Sequence, residues 1–486
     1  MIRTHTRESR ARNRLRCLAA VGGLAGLAAS AGCWAPPIPN DVGGLYADDF
    51  RPISQNGFDA ADNERDLNDY AWSADYFTPD GEEKGHVYVG TGNDMIGLIY
   101  QGIAAVMGVG QLGDVKARPP EIRRYRPDIA ADAWERVLDY RDIEPEDAFE
   151  TIGFRAITAY RAKSDGRNYL YAATFGKEAV VWRTSKGDPG TWELAWNSNS
   201  VGSVRTMAEH NGILYLALAN DAPIGERIGR IWATDGSSFW PVLEDGFGNP
   251  NNTGVMSLAS FNGWLYAGTA NITQGYEIWK LEGPDGGGPI RIVFEGGPSA
   301  INESAITPCV FQDHLYVGSM INPGANVMSG CKAADLIRIN RNDQWETVVG
   351  RDSISGFDSG FSHCPNTYIW SMAVHKGWLY AGTYDQVSAW FNVIEHGADN
   401  ITAFTGGSAR MRQANLIEWL AWAGADLYKT QNGVQWYPVT LNGFNDVGNY
   451  GFRVMVPVGD DLYIGTGNPF DGLEMWLGTA RDEQQP

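Results

Sequence analysis

Three arginines stand at one recurring place in a repeated pattern, and a converging set of guanidiniums has one evident use, the grip of an anion. Counting ten residues back from a tyrosine that recurs along the chain reaches Arg205, Met256, Ile306, Trp370 and Arg453. In the first two copies a longer first hairpin shifts the match to Trp72 and Arg155. Guanidinium is a planar fork of donors that can hold a carboxylate through two parallel hydrogen bonds. The expected ligand-binding set is therefore Arg155, Arg205 and Arg453, walled by Trp370, Tyr368 and Tyr450, with His363 as the nearest titratable group. A competing use of the same arginines is to pair with Glu150, Glu303 and Asp446 and stitch neighbouring repeats together.

Other chemistries find little footing. No nucleophile elbow, phosphate loop, dinucleotide fingerprint or calcium loop is present, so no cofactor is expected and the catalytic residues, if any, are unknown. The chain lacks Cys-x-x-Cys, and its 7 histidines never fall in an i, i+4 pair, so no metal is expected. With 38 Lys+Arg against 58 Asp+Glu the net charge is −20, and six of the arginines lie in the first 32 residues. An acidic remainder argues against binding the phosphate backbone of nucleic acid.

The elements that position these residues follow from an internal repeat. Its clearest copy is an apolar strand from Val255, an Asn262-Gly263 turn, the strand Leu265-Tyr-Ala-Gly-Thr269, then Glu277-Ile-Trp279 and Ile290-Arg-Ile-Val293. Alternating apolar runs around an Asn-Gly pair form a β-hairpin. Equivalent tyrosines are Tyr88, Tyr171, Tyr215, Tyr266, Tyr316, Tyr380 and Tyr463, spaced 83, 44, 51, 50, 64 and 83 residues apart. A four-strand unit with a period of about 40–50 residues is the mark of a β-propeller. The expected fold is all-β, a seven-bladed β-propeller of four-stranded antiparallel blades spanning 44–480. A strand from Gly43 to Phe50 would complete the last blade, and a short tail covers 481–486. Insertions at 96–120 and 385–424 extend the loop-rich face as lids or partner-binding arms, the second containing a candidate amphipathic helix from Ala409.

Residues 1–33 read as a targeting segment, a basic stretch followed by a short run of small apolar residues. Its end, Ser30-Ala-Gly-Cys33, resembles the lipobox of bacterial lipoproteins. That resemblance implies lipidation at Cys33, a membrane contact only through that anchor, and an outer-membrane or periplasmic address; secretion after ordinary cleavage is the other reading. Three prolines make 34–43 an extended tether. Export implies an oxidising compartment, in which Cys331 and Cys364, on loops of adjacent repeats, are expected to form a disulfide while Cys309, within a strand, stays a thiol.

Two turns, Ala233-Thr-Asp-Gly-Ser-Ser-Phe-Trp240 and Lys429-Thr-Gln-Asn-Gly-Val-Gln-Trp436, resemble the Asp-box hairpin of sialidase-like propellers. The wider pattern is similar to exported Kelch-like repeat proteins of bacteria. The chain departs from sialidases in lacking their Phe/Tyr-Arg-Ile-Pro motif. Such a fold gathers one set of loops on one face, here rich in amides, aromatics and acids, a surface suited to hydroxyl-rich ligands. The expected function is a monomeric, envelope-tethered or secreted module binding glycans, anionic ligands or a protein on that face. The alternative is a glycan-active enzyme on acidic sugars, either a polysaccharide lyase or a sialidase-like hydrolase.

Overall fold

The computed structural model describes residues 42–54, 56–58, 68–93, 119–143, 151–176, 178–199, 202–219, 227–284, 286–321, 332–387 and 423–480. The targeting segment with Cys33, Cys331, the helix expected from Ala409 and most of the insertions at 96–120 and 385–424 lie outside them.

Each repeat begins with a hairpin of an inner and a second strand. The inner strands are Tyr70–Phe77, Thr151–Arg161, Gly202–His210, Gly254–Phe261, Ser304–Phe311, Asn366–His375 and Gly451–Val458. The second strands are His86–Gly92, Asn168–Gly176, Ile213–Ala219, Trp264–Ala270, His314–Met320, Trp378–Asp385 and Asp461–Gly467. Second strands are buried along most of their length because their sheet is covered on both sides, which is why they read as unbroken apolar runs. Asn211-Gly212 and Asn262-Gly263 have φ of 52°, 77°, 50° and 79°, the doubly positive turn that matches strand twist. The recurring tyrosines pack between repeats: Tyr88, Tyr171, Tyr316 and Tyr380 are almost wholly buried.

The expectation of a seven-bladed propeller of separate four-stranded blades is corrected. All 28 strands belong to one sheet. The fourteen inner and second strands close on themselves as an antiparallel ring, from which the remaining strands extend outward, a larger propeller-type assembly than blades counted one by one. The links are short pairings between a second strand and the next inner strand: Gly92 with Gly153, Gly176 with Gly202, Ala219 with Gly254, Ala270 with Ser304, Met320 with Tyr368, Tyr384 with Gly451, and Gly467 with Tyr70. Glycine stands at most of these junctions, and its missing Cβ lets two backbones approach within hydrogen-bond reach. At Gly153 and Gly451 a Cβ would lie 2.1 Å from the rings of Trp72 and Trp370 respectively, so the same glycines seat those indoles.

The N-terminal strand is Phe50–Pro52 rather than Gly43–Phe50, and it pairs antiparallel with Met475–Thr479, covering what would be a free edge. Ahead of it the backbone is clamped by a buried lysine. Lys429 Nζ donates to the Leu45 carbonyl at 2.9 Å and lies 3.5 Å from the centre of the Tyr46 ring. Leu45 N–H in turn donates to the Tyr380 hydroxyl at 2.7 Å. Among the described residues no helix is long and apolar enough to cross a membrane.

Candidate functional site

Every inner strand carries a β-bulge near its loop end. The register slips between Ala71 and Ser73, Phe154 and Ala156, Val204 and Thr206, Val255 and Ser257, Ala305 and Thr307, Ile369 and Ser371, and Phe452 and Val454. The extra residues are therefore Trp72, Arg155, Arg205, Met256, Ile306, Trp370 and Arg453, the five that the ten-residue offset selects and the two reached by allowing for a longer first hairpin. A bulged residue drops out of the ladder and its side chain is re-aimed. All seven line one cavity of about 200 Å³ in the centre of the ring.

Around that cavity the side chains divide by chemistry. Arg453, Arg155 and Arg205, with Trp72 between the first two, come from consecutive repeats and form an arc of three cations; Met256, Ile306 and Trp370 complete the circle as an apolar one. Arg155 Nη1 donates to Ser203 Oγ at 2.5 Å, and its guanidinium lies 5.6 Å from the Trp72 ring and 5.2 Å from Phe175. Arg453 lies 5.4 Å from Trp370 and interacts with the Tyr70 hydroxyl. Arg205 is 8% exposed. The buried Nε atoms of Arg205 and Arg453 have no hydrogen-bond partner among the described residues.

The electrostatics follow from burial. Loss of solvent, then repulsion from Arg453, pushes Arg155 down to about 9. Arg205 is held well below the usual arginine range by burial and by Arg155 and Arg453, and Arg453 is lowered chiefly by burial. Burial lifts Tyr70 to about 12 despite the three nearby cations. Among the described residues lining the cavity there is no Asp, Glu or His to neutralise this charge. Such an arrangement is built to be completed by an anion from outside the chain.

The remaining expected site residues fall in two other places. Tyr368 and Tyr450 belong, with Tyr70 and Tyr384, to an aromatic layer at the loop end of the channel and do not line the cavity. Tyr368 stacks on Tyr384 with centroids 4.5 Å apart, and Trp370 meets Tyr384 edge-on at 5.0 Å. The cavity lies below this layer, where its lining continues along the strands through Thr158, Met207, Pro308 and Met455 toward the hairpin end. His363 is elsewhere: Nδ1 is 3.0 Å from Asp426 Oδ2, and although burial opposes the charge, that carboxylate raises the imidazole above its ordinary value. Cys364 is disulfide-bonded; Cys309 is a free thiol that burial pushes up to about 12.

Five asparagines of the described loop face are structural, through a cluster that sequence reading missed. Asn252 Nδ2 donates to the Gly246 carbonyl at 2.8 Å and to Glu277 Oε2 at 2.7 Å. Asn302 does the same with Gly296 and Asp335, Asn366 with Gly360 and Asp426, Asn449 with Gly443 and Glu474, and Asn68 with Gly57 and Glu121. The hydroxyl that follows glycine in the second strand closes the cluster: Thr269, Ser319 and Thr383 donate to Asn252, Asn302 and Asn366 at 3.3, 2.7 and 2.9 Å. Glu277 also accepts from Trp279 Nε1, and Glu474 from Trp476 Nε1, both at 2.9 Å. The legible signals were Gly-Phe with Asn six residues after the glycine, and Glu-x-Trp. Phe247 and Phe361 sit at φ of 63° and 59° and stack on Trp279 and Tyr428, so those motifs are also packing devices.

No protein-family model matches the chain, and no curated protein does. Among solved structures it is similar to an ancestral GH74 enzyme (TM-score 0.48, 10% identity, 85% of this chain and 48% of that one). It is also similar to the WD40 β-propeller domain of Doa1 (TM-score 0.42, 10% identity, 86% and 94%). A third likeness is to a mutant puromycin hydrolase complexed with PGG (TM-score 0.44, 11% identity, 90% and 56%). The chain spans about half the length of the first and third of these.

Proposed function

We propose that this propeller-type protein is a binding protein for a small anion, held in the central cavity by Arg205 and Arg453 together with Arg155. The observation that carries the reading is the pair of buried Nε donors on Arg205 and Arg453, left without a partner in a cavity whose described lining holds no acidic side chain. A buried cation in that state is costly, and a fold that retains three in one ring has a use for them. A carboxylate, sulfate or phosphate group supplies both the counter-charge and the missing acceptors.

A glycan on the loop face has less support, because Asn252, Asn302, Asn366 and Asn449 are already engaged with the carboxylates of Glu277, Asp335, Asp426 and Glu474. Catalysis on acidic glycans needs paired carboxylates, or a Tyr or His beside the substrate, and the described cavity lining offers none of these. We read the turns at Asp235 and Asn432 as Asp-box-like: Asp235 Oδ1 accepts from the N–H of Ser237 and Ser238, and Asn432 Oδ1 from Val434 and Gln435. Export with lipidation at Cys33 would place the cavity in the envelope, where small anions are sampled from outside the cell.

The test is crystallographic. Crystals soaked in bromide should give an anomalous peak within hydrogen-bond distance of Arg205 and Arg453, lost in Arg205→Ala crystals. Bromide confined to the surface, or unaffected by that substitution, would overturn the reading.

A further inference from the structure

Resting on the anion reading, we infer that the cavity selects small carboxylates with an apolar, preferably aromatic, body over sugar acids and inorganic oxyanions. The bulge register is the basis. Because one residue from each repeat faces the same space, the ligand meets cations on one arc and Met256, Ile306 and Trp370 on the other. A tetrahedral oxyanion can satisfy the first arc and leaves the second dry. A sugar acid satisfies the first but presses its hydroxyls against thioether and aliphatic surface, where they find no acceptor.

Three of the hydroxyl groups in the cavity wall are already committed as donors. Ser73 Oγ already donates to the Phe154 carbonyl, Thr307 to Trp370, and Ser371 to Phe452, each at 2.7 Å. These bonds run from one repeat to the next as a girdle, so the donors belong to the fold. Size points the same way. A cavity of about 200 Å³ compares with the roughly 150 Å³ apolar cavity that accepts benzene, leaving room for a ring plus one carboxylate and little more. The aromatic layer of Tyr70, Tyr368 and Tyr450 covers the loop end, so a polymer chain cannot thread through from that side. Entry is from the hairpin end, by a single small molecule.

Titration calorimetry on the folded protein, with benzoate, acetate, glucuronate, sulfate and benzyl alcohol as probes, tests this. Benzoate should bind at least tenfold more tightly than acetate, glucuronate or sulfate, and benzyl alcohol should not compete. Met256→Gln and Ile306→Asn should each weaken benzoate at least fivefold and acetate by a distinctly smaller factor; circular dichroism and melting curves identify any variant that fails to fold, and the other then decides. If acetate, glucuronate or sulfate matches benzoate, the apolar selectivity is wrong and the anion reading stands. If no anion binds, or benzyl alcohol binds as well as benzoate, both fall.

Discussion

Replacing Arg205 with methionine is expected to stabilise the ligand-free protein while abolishing its affinity for anions. Arg205 is 8% exposed, its Nε lacks a partner among the described residues, and Arg155 and Arg453 both disfavour its charge. An orphaned buried donor costs about 1–3 kcal/mol, and methionine fills a similar length for a packing change of roughly 1 kcal/mol, so the net gain is about 1–2 kcal/mol. At about 2.1 cal/mol/K of unfolding entropy per residue, the 486-residue chain converts 2 kcal/mol into a rise of about 2 °C in Tm. Differential scanning calorimetry in low-chloride buffer measures it. Repeating the melt with benzoate at a hundredfold excess over its Kd should raise the parent by about 2.7 kcal/mol and leave the variant unmoved, reversing their order. A variant that instead loses 2 °C or more without ligand, and regains it as Arg205→Lys, would refute the argument, because the cation would then be a structural tie.

Other outcomes test the frame around the cavity. Asn252→Ala strips a bond from the buried Glu277 carboxylate and another from the Gly246 carbonyl, and should cost about 2–4 kcal/mol in urea denaturation with anion binding intact. Gly451→Ala drives a Cβ to 2.1 Å from the Trp370 ring; a loss of about 1–3 kcal/mol and weaker benzoate binding should follow together. Burial lifts Asp75 to about 6, so the folded carboxyl keeps a proton that the unfolded chain has released. Stability should therefore fall by about 2–3 kcal/mol as pH rises from about 4 to about 6 and level off above, a slope that Asp75→Asn should remove in melts across that range. Peptide mapping of the non-reduced protein should find Cys364 joined to Cys331; a bridge to Cys309 would overturn that pairing.

Sequence spacing reached further into the site than the fold expectation did. The ten-residue offset found five of the seven bulged residues, and an allowance for the longer first hairpin found Trp72 and Arg155, because within those five repeats inner strand, hairpin and second strand keep a constant length, so counting along the chain counts along the ladder. The bulge itself left no local mark, since residues as different as Arg, Trp, Met and Ile occupy it. Tyr368, Tyr450 and His363 were drawn into the set by lying near Trp370 and Arg453 in sequence. One or two residues along an inner strand separate the aromatic layer from the cavity, and His363 turns to Asp426, 63 positions away.

What the chain determined by itself is whatever depends on short-range spacing: the hairpins set by Asn-Gly, the period marked by seven tyrosines, and the single register at which three arginines recur. Only the tertiary structure decided whether repeats stand apart or share hydrogen bonds, because that depends on how closely glycines such as Gly153 and Gly451 let neighbouring backbones approach. It also decided which polar groups are engaged. Asn366 and Asp426 are 60 residues apart and meet at 2.8 Å, whereas Arg205 and Arg453 reach the centre of the ring and find no carboxylate among the described lining. Charge and hydrogen-bonding capacity are written residue by residue, but whether a partner lies within 3 Å is a property of the closed ring, in which every contact across the channel joins distant parts of the chain.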